Sequence, residues 1–214
     1  MFNKRISVVF IVIEGCEGSG KSSLAQLLSS KLIASGKSVV LTREPGGSIL
    51  GEKLRQWILE PQAPNSPYAD LFLFLASRAQ HISETILPAI ESGKIVICER
   101  FHDSTIVYQG IAEGLGKDYV TNLCYHVVGE ESFLPDLTCL LDIPVSEGIQ
   151  RKQKQKPLDK FENKSLDYHN QIRDGFLSLA HKNPNSYLIL DGRKPIEDSL
   201  SKVMSAYTEL VLCK

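Results

Sequence analysis

The stretch that most constrains this chain is Val8–Leu27, VVFIVIEGCEGSGKSSLAQL. An apolar, β-branched run from Val8 to Ile13 reads as a buried strand, and Leu24, Leu27, Leu28 and Leu32 then recur at helical spacing. Between them, Gly15, Cys16, Glu17, Gly18, Ser19, Gly20, Lys21 and Ser22 spell G-x-x-x-x-G-K-S, in the strand–loop–helix setting that gives the motif its meaning. Glycines let the backbone curl so that its N–H groups converge on a phosphate, and the new helix adds its positive end. Lys21 is spaced to reach the β- and γ-phosphates. The Ser22 hydroxyl is spaced to hold Mg²⁺, with Ser23 beside it in the first helical turn. The motif implies a bound nucleoside triphosphate.

The rest of the chain alternates apolar runs with helical patterns, as a parallel sheet covered on both faces requires. Further strands are predicted at 38–42, 94–98, 137–141 and 186–190. A short helix is predicted through Arg55 and Trp57, and a long one from about 68 to 92 with a kink at Pro88. Helical patterns also cover 103–113, 117–130, 147–151, 165–181 and 196–210. The 214 residues suffice for one α/β domain, and no linker or internal repeat divides them. A net charge of −1 leaves no basic excess for nucleic acid. The apolar N-terminal run passes straight into the phosphate loop, so it reads as core strand rather than signal peptide, and no stretch reaches membrane-spanning length. The five cysteines are odd in number and form no C-x-x-C or Cys/His cluster, which suits a reducing cytoplasm. Among them Cys16, beside Lys21 and a helix start, stands where thiol pKa values are usually lowered, the alternative and favoured reading being a small residue that fits the loop.

Many machines use this loop. The guanine signature N-K-x-D fails here, because Asn163-Lys164 is followed by Ser165 and Leu166. The segments FIVIEGCEGSGKSS at 10–23, TREPGGSILGEKLR at 42–55, LFLFLASRAQH at 71–81 and ERFHDSTIVYQG at 99–110 narrow the field. With PDLTCLLDIPVSEGIQR at 135–151, LDKFE at 158–162 and SLDYHNQIR at 165–173, the chain resembles the bacterial-type thymidylate kinases nearly end to end. The resemblance implies a three-layer P-loop fold with a five-stranded parallel sheet, a single domain over 1–214 with a lid at about 151–164, and transfer of the ATP γ-phosphoryl group to dTMP with Mg²⁺. It also implies a homodimer, through helices at about 48–92 and 103–113, with no nucleic-acid or membrane partner.

The same resemblance implies roles for single residues. Glu17 would accept a bond from the dTMP 3′-hydroxyl. Arg100 would grip the acceptor phosphate, and Glu99 would orient it or join the magnesium shell. Phe74 and Arg78, at i and i+4 on one helical face, form a coherent pair to stack on thymine and bond its O4. Ser104, Thr105 and Gln109 are expected in the base pocket, Tyr108 against a ribose 2′-hydroxyl, Arg43 and Arg55 near the acceptor phosphate, and Arg193 bordering adenine. Asp159 and Glu162 are expected as lid carboxylates. Two departures from the family pattern stand out. Glu99-Arg100 replaces the usual Asp-Arg, a pairing also found in deoxynucleoside kinases. Of the alternating lid arginines Arg151 alone matches, since Gln153 and Gln155 follow, with Lys152, Lys154 and Lys156 between. Arg151 and one of those lysines are expected to supply the cation of transfer. The competing readings are a deoxynucleoside kinase, which needs a general base at a 5′-hydroxyl, and a nucleotide-dependent switch without turnover.

Overall fold

The computed structural model describes residues 8–61, 66–129, 133–153 and 159–213. Its sheet is five-stranded and all parallel, in the order β2-β3-β1-β4-β5. The strands are β1 (Phe10–Gly15), β2 (Val39–Arg43), β3 (Ile95–Glu99), β4 (Leu137–Asp142) and β5 (Tyr187–Asp191), each within two residues of its predicted position. The α/β fold expected from the sequence is the one observed.

The strand β1 is central and buried throughout, which is why its sequence is a continuous apolar run rather than an alternating one. Val9, Ile11 and Ile13 pack on Leu24, Leu28 and Leu32 of helix α1 (Lys21–Ala34) and on Val203 and Tyr207 of α9 (Ile196–Leu212). Phe10 and Val12 face the other way, onto Ile86, Ala89 and Phe101. A third cluster lies beyond the sheet, where α3 (Pro67–His81), α6 (Lys117–Val128) and α8 (Leu166–Lys182) meet around Leu71, Leu75, Val120, Ile172 and Phe176.

Helix α2 (Ile49–Leu59) is capped by Ser48, whose hydroxyl accepts the Gly51 N–H at 3.0 Å, and it packs along α3. The long helix of the sequence reading is interrupted earlier than expected. After α3 comes a π-helical turn, Ile82–Ile86, and only then α4 (Leu87–Glu91). Pro88 sits in the first turn of α4, where its missing N–H is harmless. The wide turn before it, with the Leu87 N–H reaching back to the Ile82 carbonyl, absorbs the irregularity. The predicted helix at 103–113 resolves into α5 (His102–Thr105) and a π-helical stretch, Ile106–Ala112. Helix α7 (Val145–Gln153) begins the segment read as a lid. Lys154, Gln155 and Lys156 lie outside the described residues, and Asp159–Lys164 form a turn leading to α8.

Candidate active site

The C-terminal ends of β1 and β3 are neighbours, with Ile13 opposite Glu99, so the loop after β1 and the pair Glu99-Arg100 open onto one crevice. Gly15, Gly18 and Gly20 adopt φ values of 143°, 70° and 97°, conformations that L side chains rarely enter. A Cβ at Gly18 would lie 2.1 Å from the Gly148 carbonyl oxygen, so the loop also presses against α7. The Lys21 ammonium donates to the Cys16 carbonyl at 2.7 Å, curling over its own loop with two further protons to give. Burial and the nearby Arg100 guanidinium lower its pKa. The Ser19 hydroxyl is buried with no partner among the described residues. An anion-shaped cradle with an orphaned hydroxyl fits a polyphosphate. The Ser22 hydroxyl donates to Glu99 Oε1 at 2.9 Å. This hydroxyl–carboxylate pair is the hard-oxygen donor set that suits Mg²⁺ held partly by phosphates and water.

Beyond the loop lies a cavity of about 330 Å³. Arg43, Arg55, Phe74, Glu99, Arg100, Ser104, Tyr108 and Gln109, all expected there, line it. At its centre Arg100 donates from Nη2 to Glu17 Oε1 at 2.5 Å and from Nη1 to the Ser104 hydroxyl at 3.1 Å. Its guanidinium lies 5.1 Å from the Tyr108 ring centroid, and the Tyr108 hydroxyl donates to the same Glu17 oxygen at 2.9 Å. Burial alone would raise the Glu17 carboxyl, but Arg100, Lys21 and the Tyr108 hydroxyl outweigh it and hold it at about 2. Arg55 donates to the Pro45 carbonyl at 2.7 Å, and Arg43 pairs with Glu52 at 3.1 Å. The Gln109 carboxamide is fully buried, with the Glu113 carboxyl as a polar neighbour.

Several expected site residues sit elsewhere. Arg78 is 1% exposed and does not line the cavity. Its Nε donates to Glu44 at 2.7 Å, and its Nη2 donates to the Phe101 carbonyl and the Thr105 hydroxyl. Nη1 meets the soft Cys124 sulfur at 3.8 Å. Thr105 is therefore a second layer behind the wall, occupied with Arg78. Arg193 is half-exposed, paired with Asp191 at 2.9 Å, and borders a separate hollow with Asp142 and Arg173. Arg151 donates to the Gly192 carbonyl at 2.9 Å, away from that cavity. Lys152 lines that cavity instead, paired with Glu162 at 3.1 Å. Asp159 and Glu162 line it too, with Asp159 accepting the N–H groups of Phe161 and Glu162 within its own turn. The expectation of a lowered Cys16 thiol fails. Its neighbours Lys21 and Arg100 do favour the thiolate, but burial dominates and pushes the thiol up to about 12.

Sequence reasoning missed three features. The Phe161 ring closes the cavity, 6.0 Å from Phe74 and 6.2 Å from Tyr108, and a lone aromatic in a polar stretch gave no periodicity to read. Glu44 binds both Arg78 and His81, and His81 Nε2 bonds Thr42 at 2.7 Å, so the turn after β2 is tied to α3. Glu14 is buried at the end of β1, and its signal was legible: an acid inside an otherwise apolar strand.

The thymidylate kinase family model matches residues 13–203. A thymidylate kinase of Chlamydia felis is 76% identical, with 96% of this chain and all of that protein aligned. That of Chlamydia caviae is 73% identical over the same shares. The crystal structure of thymidylate kinase from Ehrlichia chaffeensis superposes with a TM-score of 0.75 at 32% identity, covering 94% of this chain and 98% of that one. With its phosphate loop, its Arg100-centred cavity and these relatives, the chain belongs to the thymidylate kinase family.

Proposed function

We propose that this chain transfers the γ-phosphoryl group of ATP to dTMP, giving ADP and dTDP. A phosphate oxygen of dTMP forms a bond to the γ-phosphorus while the bond to the β–γ bridging oxygen breaks, and ADP leaves with that electron pair. The acceptor brings its own nucleophile, so no general base is needed. Positioning and charge stabilisation carry the catalysis. The observation that supports this reading best is that Arg100 and Tyr108 meet Glu17 of the phosphate loop at one cavity.

In this reading the loop amides of Gly15–Ser22 hold the ATP phosphates, Lys21 leaves the Cys16 carbonyl for them, and Ser23 supports the helix start. Ser22 and Glu99 would hold Mg²⁺, which would supply charge neutralisation. Arg100 grips the acceptor phosphate, with Arg43 and Arg55 as the outer cations. Glu17, held ionised, accepts the 3′-hydroxyl, and Tyr108 excludes a ribose 2′-hydroxyl. Phe74 and Phe161 wall the thymine, the Gln109 carboxamide is the cavity-lining amide for its polar edge, and Arg78 supports that wall from behind. Lys152, rather than Arg151, is the lid-side cation nearest the acceptor, while Arg151 and Arg193 flank the adenine side. The chain works as one domain whose lid begins at α7, in the cytoplasm and as a homodimer. The large exposed side chains Ile49 and Trp57 on α2 and Phe72 on α3 support pairing through those helices. The segment 103–113 is largely buried and offers little surface for that contact.

A coupled ADP-release assay tests the reaction. Turnover is expected with dTMP, well above UMP, CMP and thymidine. Equal or better turnover of thymidine would point to a deoxynucleoside kinase instead.

A further inference from the structure

We infer that Glu14 is the positioning residue that fixes Arg100 and Ser104 for the acceptor phosphate. The inference rests on the dTMP kinase reading above. Glu14 lies one residue before the phosphate loop, yet it is wholly buried and does not line the cavity. A carboxylate in a sheet interior is costly unless every lone pair is used. Here three hydrogen bonds, all from one short segment, and the nearby Arg100 guanidinium serve it. Oε1 accepts the Phe101 N–H at 2.8 Å and the Ser104 N–H at 3.3 Å, and Oε2 accepts the Ser104 hydroxyl at 2.7 Å.

Phe101 is the N-cap of α5, and its ring offers no acceptor. Glu14 therefore binds the cap residue's own N–H and that of the third helical residue, two bonds that a capping box takes from local side chains. The capping group comes from the central strand, so the start of α5 is fixed relative to the phosphate loop. The Ser104 hydroxyl has one proton and gives it to Glu14, which leaves its lone pairs for Arg100 Nη1 at 3.1 Å. Arg100 itself has φ 66°, the one non-glycine residue at positive φ among the described residues. Such a backbone persists where its surroundings hold it. Its N–H bonds the Ile13 carbonyl at 3.0 Å, beside Glu14. Both the backbone and the guanidinium of Arg100 are thus referenced to the end of β1.

Burial raises the Glu14 carboxyl to about 7, with Asp103 adding to the rise and Arg100, Ser104 and the Phe101 N–H opposing it. Arg78 of α3, Cys98 of β3 and Tyr187 of β5 are the other titratable groups coupled to it. Above neutrality the Glu14 carboxylate accepts all three bonds, and below it one oxygen carries a proton and part of that acceptor capacity is lost.

Glu14→Gln is the test. It keeps the shape and one oxygen for the two N–H groups, but presents an amide proton where Ser104 needs an acceptor. With ATP saturating, KM for dTMP is expected to rise at least about tenfold, the worth of a charge-assisted bond, while KM for ATP changes less than about twofold. In the unaltered chain KM for dTMP should worsen as pH falls through about 7. The variant lacks that titration, so the ratio of the two profiles separates Glu14 from the substrate phosphate, which itself ionises near about pH 6. A folded Glu14→Gln protein with unchanged dTMP KM and pH profile overturns the inference. Should that variant not fold, Ser104→Ala cuts the relay alone. A dTMP KM raised roughly three- to tenfold there, with ATP unaffected, supports the relay, and an unchanged value overturns it. Failure of the unaltered chain to phosphorylate dTMP removes the parent reading as well, and is visible separately from either variant.

Discussion

The acceptor side and the nucleotide side of the crevice hold their charges differently. On the acceptor side Glu14, Glu17, Glu44, Arg78 and Arg100 are buried or nearly so, bonded to one another or to backbone across elements distant in sequence. On the proposed nucleotide side Arg151, Asp191 and Arg193 are partly exposed: Arg193 pairs with Asp191 two residues away, and Arg151 with Glu147 one helical turn away and with the Gly192 carbonyl. Buried pairs keep their geometry because breaking one strands a charge, whereas exposed pairs exchange with water at little cost. The core therefore holds the charges of the proposed acceptor half in place, whereas Arg151 and Arg193 are held only by partly exposed pairs. Within the acceptor half, Glu14 and Glu17 divide the labour. Burial wins at Glu14 and raises it to about 7, while Arg100, Lys21 and Tyr108 overcome burial at Glu17 and hold it at about 2.

The largest effect that would break this contrast is at Arg100. Arg100→Ala leaves Glu17 buried beside a tyrosine hydroxyl without its cation, and truncation of such a pair costs about 2–5 kcal/mol. Steady-state kinetics should show kcat/KM for dTMP falling by roughly 10²–10³-fold, with KM for ATP nearly constant. A loss appearing mainly in ATP binding would mean that the two sides are not separable.

Next in size are the lid-side cations. Lys152→Ala is expected to lower kcat by about 10²-fold, the low end for a phosphoryl-clamping cation, and Arg151→Ala to act mainly on KM for ATP. Equal, small losses in both would reduce α7 to a diffuse positive field. Arg78→Ala sharpens the contrast from the other direction. It should lower kcat/KM for dTMP at least about tenfold, and because buried Glu44 loses its guanidinium, also the melting temperature by roughly 10 °C. Melting unchanged would show that the Arg78–Glu44 pair contributes nothing to the wall.

A smaller effect concerns pH and stability. The Glu14 carboxyl is raised in the folded state, so its favourable contribution is full below 4.5 and lost as pH rises through about 7. Chemical denaturation at pH 5 and pH 8 should therefore show Glu14→Gln gaining stability relative to the unaltered chain as pH rises. The Glu17 contribution runs oppositely, present above 4.5 and lost as pH falls towards about 2. The smallest effect is at Cys16. With its thiol up at about 12, alkylation near neutrality should be slow with or without MgATP, and the exposed Cys213 should react first.

How much of this was legible in the sequence follows the same division. The strands were readable because β1 and β3 are buried on both faces and carry continuous apolar runs. The phosphate loop was readable because its glycines are demanded by backbone geometry. Phe74, Arg100, Ser104 and Tyr108 were readable as motif residues, and they do meet around one cavity. Spacing alone put Arg78 on the face of Phe74 but could not reveal that Glu44, from a separate turn, holds it behind the wall. The Cys16 expectation weighed its charged neighbours and not its burial, which depends on contacts made by distant segments. The early break before Pro88 depends on how the helix repairs its hydrogen bonds, which composition does not state.

The claim that the acceptor half is complete without the nucleotide is tested most directly by calorimetric titration of dTMP into the ATP-free protein. Binding is expected with an affinity within about threefold of that measured beside a non-hydrolysable ATP analogue, because no buried pair on that side needs to form. Absence of dTMP binding until the analogue is present would contradict it, and would make the acceptor site a product of nucleotide binding.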